Sequence, residues 1–131
     1  ALNRLFVGAR NEGAFELVEE SFQPLKPRKL TSEGRTAVAS TSHPDTQTDN
    51  WLSTHNVKQT IRVGSSLKFC LLASGEADYY PRFGQTMEWD TAAGDAILRA
   101  AGGATYSSDN LPFQYGKPAY KNTAFIAKAQ P

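Results

Sequence analysis

The chain has 131 residues, enough for one ordinary domain or for part of a larger protein. Its 14 Lys and Arg residues nearly balance its 13 Asp and Glu residues, and no basic cluster is present, so we expect no binding to nucleic acid. No apolar run reaches the roughly 18 residues of a membrane span, and the first residues lack the pattern of a signal peptide, which predicts a soluble protein.

The first predicted element is a β-hairpin in ALNRLFVGARNEGAFELVEE, where apolar and polar residues alternate on both sides of Asn-Glu-Gly. A hairpin is marginally stable by itself, so we expect it to belong to a larger sheet whose other strands precede this segment. Segment 21–36 contains two prolines and many polar residues, which predicts a loop or connector and the main internal boundary of the chain.

From residue 36 onward, predicted strands and helices alternate with short joints. We predict a strand at 36–41, a helix at 42–55, a strand at 57–63, a helix at 64–75, a strand in EADYYPRFG that Pro81 terminates, a helix at 88–103, and strands in ATYSS and AFIAKA. Pro44 is expected in the first turn of the first helix, with Trp51 and Leu52 as core anchors. This order predicts a layered α/β unit with helices packed on a sheet.

The single cysteine, Cys70, rules out an internal disulfide and fits a reducing compartment, which favours the cytoplasm. Its setting, LKFCLL, is typical of the buried face of a helix. We therefore expect an inert core thiol rather than a reactive one.

Asp90 begins the predicted helix in WDTAAGDAILRAAGG, and two roles are open for its carboxylate. It can cap the helix by accepting hydrogen bonds from backbone N–H groups of the first turn, which is the commoner role at such a place. Alternatively, one oxygen caps the helix while the other binds a hard cation such as Mg²⁺, which prefers oxygen ligands.

Gly-Ser-Ser at the start of helix 64–75 is a second candidate feature. The hydroxyls of Ser65 and Ser66, the unpaired N–H groups and the positive end of the helix dipole favour an anion there. Lys68 in the first turn is unfavourable for the dipole, so we expect it to be either an exposed surface lysine or a ligand of a phosphate.

His43 and Arg82 follow the ends of two predicted strands, where ligands gather in open α/β sheets. His43 can stack on or bond to a ligand, although a lone histidine is more often structural or exposed. Arg82 can bind a phosphate through its planar guanidinium group or pair with Glu88. His55 is predicted to lie on the surface. The sequence shows no Ser-His-Asp pattern, no His/Cys metal cluster and no P-loop.

Three segments together resemble the second half of the inositol monophosphatase superfamily, most closely its CysQ-type 3'(2'),5'-bisphosphate nucleotidases. They are SHPD, VGSSLKFCLLASGEADYYPRFG and MEWDTAAGDAILRAAGG. The pattern W-D-x-A-A-G, here 89–94, is typical of the superfamily. The pattern G-S-S-L-K-F followed by Y-P-R-F-G is typical of the nucleotidase branch.

The resemblance implies a Mg²⁺-dependent phosphatase of sulfur assimilation that removes the 3'-phosphate of 3'-phosphoadenosine 5'-phosphate and gives AMP. It implies that Asp90 is a metal ligand near the ribose and phosphate of the substrate. It also implies that the remaining candidates bind the nucleotide, with His43 near the base and the others at the phosphate and sugar: Ser65, Ser66, Lys68 and Arg82. An inositol-monophosphatase-like sugar phosphatase and a non-catalytic nucleotide-binding fragment are the alternatives.

The resemblance also implies a domain division. Residues 31–131 would form a layered α/β/α carboxyl-terminal domain with a mixed sheet, and residues 1–30 the last hairpin and connector of an amino-terminal α+β domain. The other metal ligands of the family, a Glu-Glu pair and D-P-x-D-G-T, lie upstream, and this chain contains no Asp-Gly pair. We therefore expect the amino-terminal half of the same enzyme as a partner. A homodimer and peripheral contact with the inner face of the membrane stay open.

Overall fold

The amino-terminal part of the chain forms a small antiparallel sheet. The computed structural model describes residues 3–30, 32–43 and 45–131, and the first range contains β1 (Leu5–Ala9), β2 (Gly13–Val18) and β3 (Ser21–Pro24). The strand order is β1-β2-β3, so the predicted hairpin is confirmed as β1 and β2.

The prediction that residues from 21 onward form a loop is wrong, because Ser21–Pro24 pairs with β2. The two residues between these strands, Glu19 and Glu20, both have positive φ (45° and 67°). Asn-Gly or Asp-Gly is the usual sequence signal of such a tight turn, whereas Glu-Glu is not. The third strand was therefore not predicted, because the turn before it lacks the usual sequence signal.

The larger sheet has five strands, β4 (Arg35–Ser40), β5 (Val57–Val63), β6 (Tyr79–Arg82), β7 (Ala104–Ser107) and β8 (Phe125–Lys128). Their order is β5-β4-β6-β8-β7. β4 is parallel to β5 and β6, whereas β8 is antiparallel to β6 and β7. The predicted mixed sheet is thus confirmed. Pro81 does not terminate its strand: it lies opposite Ile126 of β8, and β6 continues to Arg82.

Within the described ranges, three α-helices cover the two faces of this sheet: α1 (Thr46–Thr54), α2 (Leu67–Ala73) and α3 (Glu88–Ala101). Successive side chains of a strand point to opposite faces. In β6, Tyr80 packs edge-on against Phe69 of α2, whereas Tyr79 packs edge-on against Trp51 of α1. α2 therefore lies on one face and α1 on the other, which confirms the layered α/β/α arrangement.

The core lies between the sheet and the pair α2 and α3. Phe69, Leu72, Leu98 and Phe125 are completely buried there. Cys70 is 6 % exposed and burial raises the pKa of its thiol to about 11, in agreement with an unreactive core residue.

The first helix agrees with the prediction in part. Leu52 is buried as expected, whereas Trp51 is only half-buried. The helix begins at Thr46, and Asp45 caps it by accepting a hydrogen bond from Thr48 N (2.9 Å). The predicted place of Pro44 in the first turn lies outside the described residues.

The small sheet and the connector are tied to the larger unit. Arg4 pairs with Glu16 of β2 (2.6 Å) and with Glu76 (2.7 Å), which follows α2. In the connector, the Arg28 guanidinium group pairs with the buried carboxylate of Asp78 (2.5 Å). The part of the chain that the structure describes contains no helix long and apolar enough to cross a membrane.

A strap, residues 113–122, runs along α3 in the direction opposite to the helix. Near the end of the helix, Arg99 donates to Phe113 O (2.6 Å). At its start, Gly116 N donates to the Glu88 carboxylate (3.0 Å). The strap therefore contacts both ends of α3, including the turn that carries Asp90.

Candidate functional site

A cavity of about 400 Å³ opens beside the first turns of α2 and α3. It lies at the edge where the parallel strands β4, β5 and β6 have their carboxyl ends, the usual place for ligands in such sheets. All six residues singled out from the sequence line it: His43, Ser65, Ser66, Lys68, Arg82 and Asp90. The structure thus brings the candidate residues together, while their individual roles stay predictions.

The Gly-Ser-Ser segment follows β5 and leads into α2. Ser65 has a positive φ of 59°, and Ser66 is the N-cap residue but makes no side-chain capping bond. Within the described ranges neither hydroxyl has a hydrogen-bond partner in the chain. Both are therefore available to a ligand in the cavity.

Lys68 is not the exposed lysine that one sequence alternative predicted. It is 3 % exposed, and its ammonium group donates to Val63 O (3.1 Å) and Ser65 O (2.8 Å). Burial, with a smaller contribution from the positive charge of Arg82, lowers the pKa of Lys68 to about 8. An ammonium group has three donors, and these two bonds use two of them; the group also lies 5.1 Å from the ring centroid of Tyr80.

Arg82 does not form the ion pair with Glu88 that the sequence left open. The Glu88 carboxylate instead accepts from Gly116 N (3.0 Å) and Lys117 N (2.9 Å) and pairs with Lys117 Nζ (2.6 Å). These bonds lower the pKa of Glu88 to about 2. Over the described ranges Arg82 makes no salt bridge, and its Nε is buried without a hydrogen-bond partner. Its guanidinium group is therefore available to an anion.

Asp90 is the third residue of α3 rather than its cap. The helix follows Met87, whose backbone N donates to Asp90 Oδ2 (2.8 Å). The Asp90 carboxylate therefore stabilises the first turn, as expected. It does so by accepting from the backbone N of Met87, which precedes the helix, and not from N–H groups inside the first turn as predicted. Its other oxygen has no protein partner among the described residues, and the residue is exposed at the cavity.

The two histidines lie in different surroundings. His43 is exposed and lines the cavity. His55 is the exposed C-cap residue of α1, stacks on Trp51 with ring centroids 3.9 Å apart, and does not line the cavity. The surface position predicted for His55 is confirmed.

The chain matches the model of the inositol monophosphatase family over residues 1–130. It belongs to this family. The resemblance found in the sequence is therefore confirmed.

Several family members are similar to this chain. The 3'(2'),5'-bisphosphate nucleotidase CysQ of Buchnera aphidicola is 42 % identical over 115 residues, which are 85 % of this chain and 43 % of that protein. CysQ of Escherichia coli is 47 % identical over 78 residues, 60 % of this chain and 32 % of that protein. The crystal structure of CysQ from Bacteroides thetaiotaomicron has a TM-score of 0.82 at 36 % identity, and the match covers 98 % of this chain and 54 % of that one. This chain thus spans about half the length of these relatives, or less.

Sequence reasoning missed several residues at the cavity of this family member. Trp89 lines the cavity, is 67 % exposed and lies beside Tyr120 of the strap, with ring centroids 6.4 Å apart. Thr86 and Thr91 also line it and share a buried partner, Asn122. The tryptophan belongs to the quoted motif, but no local pattern connects Asn122 with a turn more than 30 residues earlier in the chain.

Proposed function

We propose that this chain forms the carboxyl-terminal, nucleotide-binding part of a Mg²⁺-dependent 3'(2'),5'-bisphosphate nucleotidase. The substrate is 3'-phosphoadenosine 5'-phosphate, and the products are AMP and inorganic phosphate. Water oxygen forms a bond to phosphorus, the bond between phosphorus and the ribose 3'-oxygen breaks, and that oxygen takes up a proton. The observation that carries this proposal is a cavity with an unpaired arginine, a buried lysine and an exposed carboxylate.

The charges of the cavity fit a phosphorylated ligand. Arg82 makes no salt bridge within the described ranges, although its charge acts on the nearby Asp45 carboxylate. Together with burial, the charge of Arg82 disfavours the charged form of Lys68, and an anion that contacts both cations would relieve their repulsion. A guanidinium group binds two phosphate oxygens at once through its planar fork, which fixes the orientation of the phosphate. We assign Arg82 and Lys68 to phosphate binding.

The donor chemistry at Asp90 fits Mg²⁺. One carboxylate oxygen accepts from Met87 N, and the other is free for a cation. Mg²⁺ is commonly held by only one or two protein carboxylates together with water and substrate phosphate. The described residues contain no cluster of three or more His, Cys, Asp and Glu side chains that could hold a metal ion. When bound, Mg²⁺ supplies Lewis-acid chemistry that neutralises charge on the phosphoryl group.

The remaining cavity residues orient the nucleotide. The free hydroxyls of Ser65 and Ser66 can donate to phosphate or ribose oxygens, beside the dipole-positive start of α2. The exposed imidazole of His43 can stack on the base. The similarity to CysQ proteins of two bacteria supports a nucleotide rather than a sugar phosphate as the substrate.

Phosphate release by the full-length protein that contains this chain tests the proposal. We expect Mg²⁺-dependent release from 3'-phosphoadenosine 5'-phosphate and much slower release from inositol monophosphate. Arg82→Met should raise KM for the nucleotide, whereas Arg10→Met, which changes an exposed arginine in the β1–β2 turn, should not.

Three results contradict the proposal in different ways. Faster release from inositol monophosphate identifies a sugar phosphatase. AMP binding in calorimetry without any hydrolysis identifies a non-catalytic binding protein. Equal KM values for the Arg82 variant and the parent would remove the phosphate-binding role of that arginine. The cytoplasmic location, a homodimer and contact with the membrane stay predictions.

A further inference from the structure

The first turn of α3 lacks an ordinary cap, although it carries Asp90. Its N-cap residue is Met87, and a thioether cannot replace the hydroxyl or carboxylate that normally fixes a helix start. Helix ends fray unless they are held. The bond from Met87 N to the Asp90 carboxylate and the bonds from the strap to Glu88 hold part of this turn. A carboxylate that must meet a ligand at a set distance gains from a further group that holds the turn on both sides of it.

That group is the side-chain amide of Asn122, at the end of the strap. The residue is 6 % exposed, and its Nδ2 donates to Met87 O (2.8 Å) and contacts the hydroxyl oxygens of Thr86 (3.0 Å) and Thr91 (3.2 Å). Its backbone N also donates to Thr86 O (3.0 Å). A carbonyl oxygen only accepts, so the contact with Met87 O fixes which end of the amide faces the helix.

The contacts of Asn122 lie on both sides of Asp90 in the sequence. Met87 is the residue whose backbone N donates to the Asp90 carboxylate, and Thr91 is the next residue of the helix. One amide thus holds the turn before and after the carboxylate. Thr86 and Thr91 themselves line the cavity.

The other end of the amide is not satisfied. Asn122 Oδ1 is buried and has no hydrogen-bond partner among the residues that the structure describes. A buried acceptor without a partner costs stability, so an asparagine at this position is a poor choice for stability alone. A role in the geometry of the site explains why a polar side chain occupies it.

We infer that Asn122 is a positioning residue for Asp90, whose amide fixes the first turn of α3 so that the free carboxylate oxygen faces the cavity. It does not touch the substrate. This inference rests on the proposed function, in which Asp90 is a ligand of Mg²⁺.

Asn122→Asp in the full-length protein tests the inference, because aspartate has nearly the same shape but its carboxylate cannot donate to Met87 O. We expect the Mg²⁺ concentration for half-maximal phosphate release to rise about tenfold, the factor that corresponds to one lost hydrogen bond of ordinary strength. Calorimetry with Mg²⁺ and no substrate should show the same loss of affinity, independently of turnover. Asn122→Ser, which adds no charge and keeps a short hydroxyl, is a second variant in case the first does not fold.

Val38→Ala is the matched control, because it destabilises the buried centre of β4 away from the α3 turn. It should lower the unfolding midpoint but leave Mg²⁺ affinity unchanged. Amide hydrogen exchange at Asp90 should be faster in the Asn122 variants than in this control.

Two outcomes separate failure of the inference from failure of the proposed function. A parent protein that releases phosphate, together with Asn122 variants of unchanged Mg²⁺ affinity and unchanged exchange at Asp90, overturns the positioning role alone. A parent protein that neither binds Mg²⁺ nor releases phosphate overturns the proposed function, and this inference with it.

Discussion

Replacement of Gly94 by alanine should destabilise the protein, although alanine is the better helix former by about 1 kcal/mol. Gly94 lies in α3 where this helix crosses α2. A Cβ at this position would lie 2.7 Å from Phe69 Cδ2, 3.0 Å from Phe69 Cβ and 3.0 Å from Ser66 O. Two of these three atoms belong to the backbone or to the base of a completely buried side chain, so they cannot rotate away.

The magnitude follows from the balance of these effects. Overpacking of a well-packed core costs about 1–3 kcal/mol, of which the helix propensity of alanine recovers up to about 1 kcal/mol. We therefore expect Gly94→Ala to lower the free energy of unfolding by about 1 kcal/mol, the middle of the range of about 0–2 kcal/mol that remains. With a urea m-value of about 2 kcal/mol/M, the unfolding midpoint should fall by about 0.5 M.

Gly64→Ala is the matched control for this measurement. A Cβ at Gly64 meets nothing within 4 Å, so the midpoint should hardly change. If Gly94→Ala is as stable as the parent or more stable, the close approach of the two helices is not as described. Because Ser66 directly precedes α2 and Asp90 lies in α3, Gly94→Ala should also weaken AMP binding.

Three further predictions concern charged groups. The pKa of Lys68 is about 8 in the folded protein and ordinarily 10.5, so between pH 8 and pH 10.5 the unfolded chain binds more protons than the folded protein. The free energy of unfolding should therefore rise with pH across this interval. Urea unfolding at pH 7.5 and 9.5 should show this rise in the parent protein and no such rise in Lys68→Met. Asp90→Asn should abolish phosphate release by the full-length protein yet leave AMP binding in calorimetry largely intact, and normal turnover would remove its metal-ligand role. Arg28→Met removes the ion pair between Arg28 and the buried carboxylate of Asp78 and should cost about 2–4 kcal/mol in urea unfolding, whereas an unchanged midpoint would show that this pair contributes little.

The sequence predicted those parts of the fold that depend on local periodicity. The alternation from residue 36 onward identified the five strands of the larger sheet and the three α-helices, because each has a clear apolar pattern and short joints. The cavity residues converge because carboxyl ends of parallel strands meet at one edge, which is a consequence of topology.

The features that sequence reasoning missed depend on contacts between distant parts of the chain. β3 follows a Glu-Glu turn that has no common sequence signal. The burial of Lys68 depends on carbonyl groups of Val63 and Ser65 that face inward only after β5 has turned into α2. Asn122 acquires its role only when the strap folds back along α3. Periodicity carries no information about such pairings.

The strap has a consequence for how this chain responds to a ligand. It holds α3 near its last turn through Arg99 and at its first turn through Glu88 and Asn122, so the helix cannot slide along its axis without breaking bonds at both ends. The wall of the cavity that α3 provides is therefore held by hydrogen bonds near both ends of the helix before any ligand arrives. Under the proposed function, we expect a nucleotide that binds to this wall to lose little affinity to ordering of the protein, because the backbone of α3 is already held in place.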